Sequence, residues 1–324
     1  MADEMTTATT VQDWKPDVVL YHGHCDDGFA SAWACWKRWG DGIQYVPMQY
    51  GGALPDIAGK NVLMVDFSLK REAMIDAGSL ARSIVVLDHH KTAEQELSGF
   101  AQTAKVPEPM DIPVHLANAG EPDADPYDRV LVHFDMDKSG ARLAWELCHP
   151  GKPMPRLLEH IEDRDLWRFR LHETKAVSAA VRSYDYDFAV WDVWAASDLM
   201  LSVLVGQGNA ILRAQGRHVA DFLEQSYMAE VAGCTVPCLN VPYAYASDCG
   251  HALLKKYPDA PFAATWWRLR EGRIGWSLRS EDSREDVGAI AERMGGGGHR
   301  NASGFSATAI TPIAHMGSAA GATP

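Results

Sequence analysis

Residues 83–92 read SIVVLDHHKT, and the order of residue types in this stretch decides the fold. Ile84, Val85, Val86 and Leu87 form the apolar, β-branched run required of a strand buried on both faces of a parallel sheet. Asp88, His89 and His90 follow where that strand should end. A carboxylate and two imidazoles are poor packing material. Open α/β sheets bind their ligands outside the carboxyl ends of the strands, and there such groups have a use. Chance produces an Asp-His-His tripeptide readily, so its weight depends on what the rest of the chain brings to the same edge.

Upstream, residues 61–65 (NVLMV) form a second buried strand with Asp66 behind it. Residues 17–21 (DVVLY) form a first strand that runs straight into HGHCDDGFASAWACWKRWG. His22, His24, Cys25, Asp26 and Asp27 crowd that strand-to-helix turn, where Gly28 permits a tight backbone. The helix that follows, over about 29–39, carries Trp33 and Trp36, expected as core contacts. Residues 45–50 suit a strand, 69–77 a helix, and 129–134 a further strand before a helix that opens near Ser139, a plausible cap. Strands alternating with helices predict a parallel, doubly wound sheet, with the acidic and imidazole clusters along one edge.

Between 94 and 128, prolines and acidic residues predict a long loop with short elements. His133, Asp135 and Asp137 have metal-like spacing, but an acidic turn before a helix N-terminus gives the same pattern and is the preferred reading. A helix over 156–162 ends in IEDRDLWRF, where Asp163 and Asp165 stand between Arg164 and Arg168. That cluster is either a fourth carboxylate site or a surface ion-pair network. A helical stretch over about 187–228 links to a different pattern: a strand at 236–241, a helix at 246–256, a hairpin of 262–270 with 273–280, and a short helix at 287–294. It closes on GGGGHRNASGF, residues 295–305. Its glycines allow close backbone approach to an anion, and His299 and Arg300 add donors suited to phosphate.

The 324 residues, 47% hydrophobic and 23% charged, describe an ordinary globular protein large enough for one large or two medium domains. A formal net charge of −13 argues against long duplex nucleic acid as partner, because duplex binding needs a broad basic surface. A small anionic substrate remains compatible if divalent cations mask the carboxylates. The N-terminal residues lack the basic and apolar regions of a signal peptide, and no apolar run approaches the roughly 18 residues of a membrane span. Six unevenly spaced cysteines suggest a reduced compartment, so the expected location is the cytoplasm, without membrane association. Cys234, Cys238, Cys249 and His251 are read as ordinary residues, since the last two are too close together for a tetrahedral zinc chelate.

Four acidic clusters in this order, followed by a glycine-rich His motif, resemble the DHH phosphoesterase superfamily over about residues 17–305. The first family motif usually reads His, three residues, Asp, one residue, Asp-Gly. Here Asp27-Gly28 follow Asp26 directly, one residue short. The shorter form is similar to a subgroup reading His-Gly-Asn-Cys-Pro-Asp-Gly, which matches at His22, Cys25, Asp27 and Gly28 and departs at His24 and Asp26. The resemblance implies His22, Asp26, Asp27, Asp66, His89 and Asp163 as metal ligands, with Asp165 the fallback for the last. It implies Asp88 as ligand or orienter, His90 as a contact to substrate phosphate, and Gly296, Gly297, Gly298 and His299 as the signature of the DHH-associated substrate-binding domain. Asp27, Asp88 and His90 are then the catalytic set. The chain divides into an arm (1–16), a DHH domain (17–190), a helical linker (191–230) and a smaller α/β domain with a mixed sheet (231–324).

Carboxylates mixed with imidazoles suit Mn²⁺, with Mg²⁺ or Co²⁺ as alternatives. Two such ions, with Asp27 and Asp66 bridging, imply activation of a water for in-line attack on phosphorus. The expected substrates are short nucleotides: nano-RNA, linear dinucleotides or pAp. A polyphosphatase or pyrophosphatase, and a degenerate nucleotide-binding member, are the alternatives; a homodimer is left open. Trp266, Trp267 and Trp276 are placed in the core in preference to stacking a base.

Overall fold

The computed structural model describes residues 13–119 and 124–308. The chain forms two compact units, Met1–Ile211 and Leu212–Pro324. The first contains β1 (Val18–His22), α1 (Asp26–Trp39), β2 (Gln44–Met48), β3 (Asn61–Val65), α2 (Arg71–Leu80), β4 (Ser83–Asp88), α3 (Lys91–Glu96), β5 (Ala101–Gln102), α4 (Ile112–His115), β6 (Val130–Phe134), α5 (Gly140–Cys148), α6 (Arg156–Asp165), α7 (Thr174–Val181) and α8 (Phe188–Ala195); the long helix α9 (Asp198–Leu223) crosses the division.

Six strands build one sheet in the order β2-β1-β3-β4-β6-β5, and every pairing is parallel. Alternate residues of the central strands are buried on both faces: Val18, Leu20, Val62, Met64, Ile84 and Val86 belong to one core layer, while Val19, Leu63, Val85 and Leu87 are equally inaccessible on the other. That explains the near-continuous apolar runs. Register matters most for the site. Tyr21 is level with Val65, Val65 with Leu87, and Leu87 with His133. The residues one step further on, His22, Asp66 and Asp88, therefore emerge side by side at one edge.

The 94–128 stretch carries the short elements expected of it, and β5 among them pairs with Leu131 and Val132. The expected arm needs correction. Residues 1–12 of the expected arm lie outside the described residues, but Trp14 is buried and its indole donates to Ser83 Oγ at 3.0 Å. Trp33 is core, as expected, while Trp36 is half-buried and stacks on Phe188 at 5.6 Å.

The second unit comprises β7 (Tyr227–Val231), β8 (Cys234–Asn240), α10 (Tyr243–Lys256), β9 (Ala263–Arg268), β10 (Ile274–Arg279), α11 (Val287–Arg293), β11 (Gly297–His299) and β12 (Ala302–Ala307). Its sheet runs β11-β12-β10-β9-β8-β7 and is mixed, with β8 and β9 parallel and the other pairs antiparallel. Trp276 is a core residue, and Cys238 and Cys249 are buried in apolar clusters. The glycine run is not an open loop. Gly297 and Gly298 pair with Gly304 and Ser303 in a hairpin, and a Cβ on Gly296 would sit 2.1 Å from the Gly304 carbonyl oxygen. Close strand approach thus accounts for much of the glycine. Among the described residues, no single helix is long and apolar enough to cross a membrane.

Candidate active site

The site of the first unit is assembled from three strand ends and three helix termini. After β1 the chain turns through Gly23 and His24, the latter in the left-handed region at φ 57°, and Cys25 occupies the N-cap position of α1. Gly28 is obligatory here, since a Cβ would lie 2.1 Å from the His22 carbonyl oxygen. Asp27 turns inward and accepts hydrogen bonds from the amides of Gly140 (2.6 Å) and Ala141 (3.1 Å). These are orphan donors of the first turn of α5, so the carboxylate also serves that helix dipole. Ser139 caps the same helix through the Arg142 amide, and the buried Glu162 pairs with Arg142 from α6.

Asp66 follows β3 with φ 52°, a left-handed conformation unusual for a residue other than glycine. It is 2% exposed. Its Oδ1 contacts His89 Nε2 at 3.1 Å, and its Oδ2 lies 3.6 Å from His22 Nδ1 and makes no hydrogen bond. Asp88, fully buried, accepts from the amides of His89 (2.7 Å) and His90 (3.2 Å) and meets His90 Nδ1 at 2.7 Å; its Oδ2 is likewise without a partner. His89 Nε2 also faces Asp27 Oδ2 at 3.7 Å and Asp165 Oδ2 at 3.5 Å.

The electrostatics follow from this crowding. Burial, and then the neighbouring Asp66 and Asp165 carboxylates, push the Asp27 carboxyl well above the ordinary range. Burial acts the same way on Asp66, but the imidazoles of His22 and His89 outweigh it and hold that acid low. Burial disfavours the His89 imidazolium, yet Asp66, Asp27 and Asp165 together raise it to about 9. The hydrogen bond to Asp88 raises His90. Burial raises Asp165. One acid and one histidine raised together mark an excess of negative charge at this edge, which suits a cation.

Ligand-type atoms gather in three overlapping groups, each with its atoms within 4.8 Å of one another: His22, Cys25 and Asp66; Asp66, His89 and His90; Asp27, His89 and Asp165. Asp66 and His89 each belong to two of them. The donor set fits divalent cations: Oδ2 of Asp66 and of Asp88 is buried without a hydrogen bond, and a cation nearby would satisfy such oxygens.

Of the residues expected from the sequence, His22, Asp27, Asp66, His89 and His90 converge, with Asp88 behind them. Two expected ligands do not join them. Asp163 accepts from the amides of Arg170 (2.8 Å) and Leu171 (3.1 Å) and from Thr174 Oγ1 (2.6 Å), pinning the chain after α6 to the start of α7. Asp165, the fallback, faces His89 instead. Asp26 accepts from Arg182 Nε at 2.7 Å and Tyr186 Oη at 2.8 Å, and it is in none of the three groups among the described residues. Asp135 closes an acidic turn on the Asp137 amide, as preferred from the sequence, and His133 is buried against the Thr103 carbonyl. In the second unit His299 is exposed, whereas Arg300 donates to the Asp282 and Arg284 carbonyls and holds its own loop. Sequence reasoning missed Gly140, where a Cβ would come within 2.4 Å of the Asp66 Cβ. It also left Cys25 without a role.

A parallel sheet whose central strands deliver Asp66 and Asp88-His89-His90 to one edge, joined to a unit with a mixed sheet, defines a class. The chain belongs to one family with a viral protein, and its fold is that of a DHH domain. That relative, an uncharacterized protein of Acanthamoeba polyphaga mimivirus, is 32% identical over 315 residues, covering 91% of this chain and 68% of the viral one. The solved DHH domain of a member of the S1p family of ribosomal proteins is similar with a TM-score of 0.50 at 13% identity, over 90% of this chain and 82% of that one. Exonuclease RecJ bound to manganese is similar with a TM-score of 0.46 at 14% identity, over 90% and 85%. No protein-family model matches the chain.

Proposed function

We propose that this protein is a divalent-metal-dependent phosphoesterase acting on short nucleotide phosphodiesters or phosphomonoesters. The observation that carries the proposal is the overlap of three ligand groups through Asp66 and His89, with buried carboxylate oxygens lacking hydrogen bonds. Two cations held there, Mn²⁺ by the mixture of carboxylate and imidazole, would supply positive charge to a phosphoryl group and lower the pKa of water.

The chain's own residues do the rest. Asp27 and Asp66 would hold the cations, and Asp27 is fixed in advance by the two amides of α5. Asp88 holds His90 Nδ1, so the other ring nitrogen is directed outward and, protonated, donates to a phosphate oxygen as charge builds. His299 is the corresponding donor proposed for the second unit.

A base-bearing substrate is favoured over polyphosphate by the wall beside the acids. A cavity of about 230 Å³ is lined by Asp27, Asp165, Arg164, Trp167 and Arg182, among others. Trp167 is 66% exposed and Arg164 stacks on it at 4.2 Å. Such a platform suits a nucleobase. The test is turnover with Mn²⁺ of pApA, pAp, a five-nucleotide RNA and tripolyphosphate by the purified full chain. Cleavage of the nucleotides is expected; metal binding without turnover of any of them overturns the proposal, and preference for tripolyphosphate supports the polyphosphatase alternative.

A further inference from the structure

The shortened first motif raises a question of chemistry that the DHH pattern does not answer. Of the two adjacent acids, Asp27 serves the site and Asp26 is held by Arg182 and Tyr186, so one carboxylate is diverted from it. What remains on that side is His22 from the end of β1, Asp66 from the end of β3, and the side chain of Cys25.

We propose that Cys25 Sγ is a metal ligand, completing with His22 and Asp66 a thiolate-containing site distinct in preference from the carboxylate-imidazole site around Asp27, His89 and Asp165. The inference deepens the proposed function and rests on its reading of the edge as a metal centre. Three observations carry it. Sγ, one imidazole nitrogen of His22 and one oxygen of Asp66 lie mutually within 4.8 Å, a spread that small side-chain adjustments can close around one ion. Asp66 is only 2% exposed, and its Oδ2 faces this side near His22 without a hydrogen bond. Cys25 also occupies the N-cap position of α1 and makes no capping side-chain hydrogen bond there.

On binding, the Sγ–H proton leaves to solvent and the sulfur–metal bond forms, with no change of oxidation state. A thiolate shifts the preference of this site toward Zn²⁺, Co²⁺ and Fe²⁺ and away from Mn²⁺ and Mg²⁺, which the all-oxygen and imidazole donors serve. The centre is then asymmetric: one soft position, one hard.

The experiment is anaerobic titration of the metal-free full chain with Co²⁺, followed by absorption spectroscopy. A thiolate-to-Co²⁺ charge-transfer band in the near ultraviolet is expected, lost in Cys25→Ser and retained in Cys238→Ser. Zn²⁺ affinity of Cys25→Ser should fall tenfold or more while Mn²⁺ affinity changes less than threefold. A measurement on the unaltered chain covers the case of a misfolded variant: bound Zn²⁺ should protect Cys25 from iodoacetamide, read by peptide mass spectrometry. Co²⁺ bands without charge transfer, a band that survives Cys25→Ser, or alkylation of Cys25 at an unchanged rate overturns the inference while the metal centre stands. Failure of any divalent ion to bind overturns the metal centre itself.

Discussion

The Asp27 carboxylate and the Gly140 amide, 113 residues apart in sequence, meet at 2.6 Å. Through that bond one acid of the site is positioned by the N-terminus of α5, the helix that follows β6. Gly140 must be bare to allow it, because a Cβ would overlap Asp66 Cβ at 2.4 Å and Asp27 Oδ2 at 2.9 Å. Both neighbours are fixed, so Gly140→Ala should destabilise by about 1–3 kcal/mol and abolish tight metal binding, seen by thermal unfolding and Mn²⁺ calorimetry.

The two acids at the end of α6 should separate by role. Asp165→Asn is expected to weaken metal binding and lower turnover by at least the roughly 10–100-fold that loss of an outer-shell partner costs, with the melting temperature of the metal-free protein little changed. Asp163→Ala removes the acceptor for two amides and a hydroxyl, and should cost on the order of 2–4 kcal/mol of stability. Folded Asp163→Ala protein at low temperature should still bind metal. The reverse pattern would return Asp163 to the ligand set.

Stability of the metal-free protein should fall on the alkaline side. His89 is raised from its ordinary 6.5 to about 9, so the folded state holds its proton more tightly than the unfolded chain does. That contribution is complete below pH 6.5 and disappears as pH climbs through about 9. The upward shift of Asp27 works in the same direction, and the downward shift of Asp66 opposes it. Melting temperatures measured across this range in a chelator should decline, and added Mn²⁺ should remove the decline by replacing the imidazolium with a cation.

Trp167 tests the kind of substrate. Trp167→Ala should raise KM for a dinucleotide roughly tenfold, the loss of one stacked base, while leaving kcat and the hydrolysis of tripolyphosphate unchanged. Equal losses on both substrates would show that the indole serves the fold.

Much of this was legible from one-dimensional pattern. Runs such as NVLMV and SIVVL, each closed by an acid, predict strands level at one edge, and the register of Val65 with Leu87 makes that literal. What escaped depended on direction. Asp163 and Asp165 are two apart at the end of a helix and look alike in sequence; only the turn after α6, with Trp167 and Phe169 in the left-handed region, brings backbone amides to one of them and leaves the other facing His89. Asp26 looked like a ligand because its captors, Arg182 and Tyr186, lie about 160 positions away. The glycine run looked like an anion cradle because a tight antiparallel ladder demands the same residue.

His89 Nε2 lies 3.1 Å from Asp66 and 3.5 Å from Asp165, so its imidazolium is a built-in counter-ion. Small zinc modules remain unfolded until their ion arrives. Here the chain carries its own provisional charge, so under the proposed function folding should not have to wait for metal. The protein should then fold without its ion, and the supply of metal and protons would set how much of it is active.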